Sequence, residues 1–256
     1  MQESSIVKLA AEAGKIILEN GGETYRVEET INRICYSYEV EFVESFVTPT
    51  GIMVSTFTSS GENISVIRRI KKRSVDLEKI YKVNELSRDI AERKLSPEDF
   101  QIKLQEINAN LRYSSLSTLF YSGVAAGAFT LLFNGGFMDA IVAFIIGVII
   151  KYITSLISDY KINPFFINII GGAITSIMAL SSVAMGIGQD VDTIIIGSIM
   201  LLVPGIAITN AIRDTIAGDL LSGVSRGVEA VLVAIAIAIG SGVVISLWQN
   251  IFGGVF

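Results

Sequence analysis

A group of polar residues interrupts the more apolar half of this 256-residue chain at a point where a helix must break. The stretch Leu201-Leu-Val-Pro-Gly-Ile-Ala-Ile-Thr-Asn210 sets Pro204 beside Gly205, and Arg213, Asp214 and Asp219 follow closely. Proline removes a backbone donor and clashes with the preceding turn. Membrane transporters place substrates and ions at helices broken in this way. Asn210 and Asp214 stand four residues apart, so a continuing helix puts them on one face. There Arg213 could grip a substrate carboxylate with its two-pronged guanidinium, and Asp214 or Asp219 could carry a proton or hold an ammonium group. The plainer reading makes Pro204 a tolerated kink, Arg213 a topological charge, and the aspartates its solvated neighbours.

A second polar group lies far upstream. Gly22 to Thr30 gathers Glu23, Thr24, Arg26 and Glu29 at a helix start, and Thr48-Pro49-Thr50-Gly51 reads as a turn. Acids favour the start of a helix in any case, so a capped, solvated helix end accounts for this group more simply than a binding site. Catalytic chemistry is poorly supplied. The chain has no histidine and one cysteine, Cys35, which leaves no Ser–His or Cys–His pair and no disulfide framework. Nor does it show a Gly-x-Ser-x-Gly elbow, a phosphate loop or a metal-ligand cluster. No catalytic residue, metal or cofactor is expected.

The elements that hold these groups follow from how charge is distributed. Residues 1–112 hold 16 of the 20 Lys and Arg and 18 of the 25 Asp and Glu, so residues 113–256 keep only four and seven. The first part is charged like a soluble domain, and the second falls far below that level. The head's near balance of charge gives no footprint for nucleic acid. The opening Met1-Gln-Glu-Ser-Ser-Ile-Val-Lys8 shows no basic tip before an apolar core, so no signal peptide is expected. The fold class expected is an α-helical integral membrane protein with five transmembrane helices, preceded by a small cytoplasmic α+β domain. The head takes residues 1–112 and the membrane domain 113–256, with spans at 115–133, 138–157, 164–185, 193–212 and 229–248, the second needing Lys151 to snorkel.

Orientation comes from the connecting segments. Basic residues occur in the head, at Lys151 and Lys161, and at Arg213 and Arg226. They are absent from 134–139, from 186–192 and after Trp248. That alternation predicts a multi-pass protein of the cytoplasmic (inner) membrane with its head in the cytoplasm and its C-terminus outside. Small residues paired at helical spacing (Gly123 with Gly127, Gly172 with Ser176, Ala236 with Gly240, Ala238 with Gly242) allow close helix contact, within the bundle or with a second membrane subunit.

Within the head, apolar residues at helical spacing predict helices over 5–20 and 24–38, with Ile6, Leu9, Ala10, Ala13 and Ile17 as one buried stripe. Strands are expected over 40–47, 52–58 and 63–67, then helices over 75–93 and 97–111. Ser96-Pro97-Glu98-Asp99 reads as a capped start, and Pro164 after Asn163 as another.

Two distant segments together resemble the threonine/serine exporter family. They are Gly21-Gly-Glu-Thr-Tyr-Arg-Val-Glu-Glu-Thr30 with Phe46-Val-Thr-Pro-Thr-Gly-Ile52, and Val203-Pro-Gly-Ile-Ala-Ile-Thr-Asn-Ala-Ile-Arg-Asp214 continuing to Gly218-Asp-Leu-Leu-Ser-Gly223. The resemblance implies a proton-driven exporter of small metabolites. Five spans match the split form, whose other half is a second small integral membrane subunit, and split-form relatives are linked to succinate-type dicarboxylates. It marks Glu23, Thr24, Arg26, Glu29, Thr48, Pro49 and Thr50 in the head, and Pro204, Gly205, Asn210, Arg213, Asp214 and Asp219 in the membrane part. The partners expected are that subunit, the lipid bilayer and a small carboxylate or amino-acid substrate, with assembly as an oligomer left open. A membrane-anchored hydrolase and a non-transporting sensor or assembly subunit are the readings from other classes.

Overall fold

The computed structural model describes residues 2–57, 61–93, 95–109, 113–160 and 162–253. The expected strand end at Thr58, the turn residues Ser59 and Ser60, the helix end at Leu111 and the loop charge Lys161 lie outside the described residues. The chain divides into two compact units. One comprises Met1–Asn110 with Gly205–Val228, the other Leu111–Pro204 with Glu229–Phe256.

The first unit opens with α1 (Gln2–Glu19) and α2 (Thr24–Ser37), which pack on each other. The single buried stripe expected on α1 is too narrow. Val7, Ala11, Ile16 and Leu18 are buried along with Ile6, Ala10, Ala13 and Ile17, and of the charged residues only Lys8 is exposed. Elements on several sides require this, because α1 meets α2, β2, β3, α3 and α4. β1 (Glu44–Thr48), β2 (Gly51–Phe57) and β3 (Asn63–Arg69) form an antiparallel meander in that order. The first strand begins four residues later than expected. Glu39 and Phe42 take left-handed backbone angles, φ 61° and 53°, which bend the chain before pairing can start. Pro49 and Thr50 form the two-residue link between Thr48 and Gly51, which pair. On the outer face Phe46, Met53 and Ile67 stand opposite one another across all three strands, each exposed.

α3 (Leu77–Arg93) and α4 (Pro97–Ala109) complete the head. The amide of Asp99 donates to the Ser96 hydroxyl, which in turn donates to the Asp99 carboxylate, so the α4 start is capped as expected. Ile31, Ile34, Ile52, Ile90 and Phe100 are among the fully buried side chains of one continuous core. Cys35 lies in it, and burial pushes its thiol up to about 12.

The second unit contains α5 (Ser115–Leu132), α6 (Phe137–Asp159), α7 (Pro164–Ala184) and α8 (Val191–Ile199). α9 (Gly205–Ile216) belongs to the first unit, and α10 (Leu220–Phe252) runs from the first into the second. Among the described residues, four helices are long and apolar enough to cross a membrane: α5, α6, α7 and α10. The span expected over 193–212 is not one helix. It stops at Ile199 and restarts at Gly205, because Pro204 has no N–H to continue the ladder. At about 1.5 Å per residue, α8 alone reaches less than half of the roughly 30 Å hydrocarbon thickness. Asn163 caps α7 by accepting from the Phe165 amide at 2.9 Å, with Pro164 in the first turn.

Close helix approach uses three of the four small-residue pairs. An added Cβ at Gly123 or Gly127 would lie 2.8 Å from the Phe144 carbonyl oxygen or 2.9 Å from that of Ala140, both on α6. Gly172 of α7 faces the Ile237 carbonyl of α10, and Gly240 of α10 faces that of Ile169. Ser176 and Ala236 are buried with them. Ala238 is exposed, and Gly242 faces open space.

Candidate functional site

The site is built where α1 stops. Gly21 takes φ +95°, a left-handed angle that favours glycine, and a Cβ on Gly22 would collide with Ile17. The turn presents the carbonyls of Gly21 and Gly22, which accept from Asn210 Nδ2 and Arg226 Nη2, each at 2.8 Å. Glu23 stands at the N-cap position of α2 in extended conformation, yet its side chain makes no capping bond. Its carboxylate instead accepts from Arg26 Nε at 2.9 Å and from Arg213 Nη1.

The facing side comes from the end of α9. Gly218, at φ +97°, closes the helix in a Schellman turn: its amide donates to the Thr215 carbonyl and that of Asp219 to the Asp214 carbonyl at 2.8 Å. This fold-back aims two aspartates at one residue. The Thr24 amide donates to Asp214 Oδ1 at 3.2 Å, and the Thr24 hydroxyl donates to Asp219 Oδ2 at 3.0 Å. Arg226 Nε lies 3.0 Å from Asp214 Oδ2, an ion pair whose angle falls short of hydrogen-bond geometry.

Burial separates the members of the cluster. Asp214 and Thr24 are fully buried, Arg226 and Glu23 nearly so, whereas the Arg213 side chain is 55% exposed. Burial acts to raise the Glu23 pKa, but the bonds from its own backbone, Arg213 and Arg26 outweigh it and hold the carboxyl below its ordinary value. The balance at Asp214 is opposite. Burial pushes it up, and the Arg226 charge and the bonds from Thr24 only partly offset that.

The structure therefore brings Glu23, Thr24, Arg26, Asn210, Arg213, Asp214 and Asp219 into one network. It does not bring in every residue singled out from the sequence. Glu29 pairs with Arg33 one turn along α2, and the Thr48 hydroxyl bonds only within its hairpin, to Thr50 and the Gly51 carbonyl. Pro49 is buried in the same hairpin. Gly205 begins α9, and Pro204 marks the break before it.

Three acids and two arginines of this network were visible as motif residues, but two further members were not. Arg226 read only as a topological charge, because its partners Gly22 and Asp214 are distant in sequence. Glu28 sits between the marked residues of α2. It accepts from the Val47 amide at 2.9 Å, and burial, partly offset by that bond, raises its pKa, with the Asp219 charge adding to the rise. Asp139 is a further acid that was not singled out from the sequence. In the second unit it is buried and accepts from the amides of Gly136, Gln189 and Asp190, pinning two loops together.

Comparison with known proteins assigns the chain. The family model described as threonine/serine exporter matches residues 8–248. The chain belongs to the threonine/serine exporter family. An Escherichia coli K12 protein named "Probable succinate transporter subunit YjjP" is 23% identical over 249 residues, 96% of each chain. Its Klebsiella aerogenes namesake is 23% identical over 248 residues, 96% of this chain and 95% of that one. The "Threonine/serine exporter" of Corynebacterium glutamicum is 25% identical over 255 residues, 96% of this chain but 52% of its own length. No solved structure matches the chain. The family is one of exporters and not of enzymes.

Proposed function

We propose that this chain is the larger subunit of a secondary exporter. It moves small amino acids of the threonine/serine type out of the cytoplasm, is driven by the proton gradient, and works with a second small membrane subunit. The observation that carries this reading is the network around Thr24, where Glu23, Asp214 and Asp219 meet Arg26, Arg213 and Arg226 just after a broken apolar stretch. An amino acid carries one carboxylate and one ammonium group. Arg213, the most exposed of the three arginines, takes the carboxylate in exchange for Glu23. Asp214 and Asp219 take the ammonium group or a proton, and the raised Asp214 pKa favours the proton there. Asn210 and Thr24 keep the two sides aligned, and Pro204 with Gly205 supplies the break. Glu29, Thr48, Pro49 and Thr50 complete the head motif without touching substrate.

The alternation of basic residues supports a head, residues 1–112, in the cytoplasm and a C-terminus outside, with the broken stretch from α8 to α9 counted as a fifth crossing. The word "subunit" in the names of the two relatives matched end to end, and the half-length match to the Corynebacterium exporter, support a separate second subunit. A second reading, export of succinate-type dicarboxylates, is favoured by the end-to-end match to the relatives named for succinate. Efflux of preloaded threonine, serine and succinate from proteoliposomes holding both subunits tests both. Succinate flux without amino-acid flux selects the second reading, and no gradient-dependent flux of any of the three overturns both.

A further inference from the structure

We propose that the outer face of the head's three-stranded sheet is a self-association surface, on which two copies of this chain meet about a twofold axis. The strand register lays this face out as three cross-strand rows. Glu44, Ser55 and Ser65 form the first, Phe46, Met53 and Ile67 the second, and Thr48, Gly51 and Arg69 the third. The inner face sends Val47, Ile52, Val54 and Val66 into the core. An antiparallel sheet with one face buried ordinarily turns polar residues outward on the other. The middle row departs from that pattern, with Phe46, Met53 and Ile67 between 50% and 71% exposed. Directly opposite residues on paired strands lie about 5 Å apart, so the three make one patch and not scattered side chains.

The face is complementary to itself. Packed sheets run their strands either nearly aligned or crossed near a right angle. In the crossed arrangement, an axis along the diagonal from Thr48 to Ser65 sets Met53 on Met53 of the second copy. It also sets Glu44 on Arg69 of the second copy, and Arg69 on its Glu44, so opposite charges meet twice. Both residues are exposed, and neither has a side-chain partner among the described residues. Phe46 falls on Gly51 of the second copy, where a Cβ would meet only the Arg68 carbonyl oxygen, at 3.5 Å. Ile67 falls on Ser55, beside a groove of about 640 Å³ lined in part by Phe46, Met53, Ser55 and Ser65. Aligned packing would instead set both charges against Ser or Thr and take them from water without a counter-ion, which is costly.

Size argues for a copy held in the same membrane. Three strands spaced about 4.8 Å apart, with a rise of about 3.4 Å per residue, cover on the order of 300 Å² here. A stable complex between free proteins buries about 800 Å² on each partner. So small a face holds only a partner already kept close, as copies carried in one bilayer by spanning helices are. The proposal does not rest on transport.

The test puts single cysteines into the full chain, produces two differently tagged forms together, and treats the membranes with a short bismaleimide. Cys35 is buried and stays silent. Glu44→Cys in one form with Arg69→Cys in the other is expected to cross-link severalfold above Lys8→Cys, an exposed position on α1 that measures chance collision. Either cysteine in both forms is expected to give only that background, because the axis holds like corners apart. Ser65→Cys faces its own copy and is expected to cross-link with itself. Glu44→Arg should abolish that Ser65→Cys product, and adding Arg69→Glu should restore it, which also shows that the exposed substitutions leave the fold intact. Background yield from both the mixed pair and Ser65→Cys overturns the proposal, as does a charge-swapped chain that fails to recover. Self-cross-linking that vanishes when a second membrane subunit is produced alongside would assign the face to that subunit and overturn it too.

Discussion

Arg226 and Asp214 form a buried ion pair, 3.0 Å apart, that joins the first turns of α10 to the end of α9. A buried pair of this kind is costly to break from one side, because the remaining charge loses its counter-ion where water does not reach it. Arg226→Ala is expected to cost about 3–5 kcal/mol, measured as loss of unfolding free energy in detergent. Replacing both residues by apolar side chains of similar volume should recover most of it. A double variant as unstable as the single one would show that the pair is not the source of the loss.

Acid should act on the same network through Glu23. Its folded pKa lies below the ordinary 4.5, so its contribution to stability is full above that value. The contribution is lost as pH falls through the folded pKa. Glu28 works in the opposite sense, because its pKa is raised, and its contribution is lost as pH rises through the folded value. The two are separated by comparing melting temperature against pH for the unaltered chain and Glu23→Gln. The acid limb is expected to flatten in the variant, and identical limbs would show that Glu23 is not stabilised as an anion.

Cys35 offers a check on the head core. Burial raises its thiol to about 12, so almost no thiolate exists at neutral pH. Maleimide labelling should be negligible in the folded protein and rapid in denaturant. Fast labelling of the folded chain would mean that the α2 face carrying Ile31 and Ile34 is open.

What the sequence made legible was chemistry settled within a few residues. The hairpin at Pro49 and Thr50, the cap at Ser96 and the cap at Asn163 each depend on neighbours along the chain, and each is found in place. The break at Pro204 was legible for the same reason, since a missing N–H is a property of one residue. The partnerships of Thr24 with Asp214 and Asp219 were not, although all three residues were marked, because nothing local links positions so far apart. Arg226 and Asp139 show the limit most plainly. Arg226 counted only as a topological charge and Asp139 was not singled out, yet both are buried by contacts with distant backbone. A charge count records that a residue is ionisable, but the fold alone decides whether water reaches it.

The two small-residue pairs of α10 predict opposite outcomes for one kind of substitution. A Cβ on Gly240 would lie 2.0 Å from the Ile169 carbonyl oxygen of α7, a backbone atom that cannot turn aside. Gly242, two residues on, has nothing within 4 Å of that position. Gly240→Ala must therefore push α7 and α10 apart, and overpacking of this sort costs about 1–3 kcal/mol. Gly242→Ala adds a methyl group to open space and relieves some helix-interior glycine entropy, so it should be neutral or slightly stabilising. Thermal unfolding of the two variants side by side in one detergent tests the contrast. Equal melting temperatures would mean that α7 and α10 do not meet at Gly240. A loss at Gly242 as well would instead show that a second helix, from another copy or another subunit, already occupies that face.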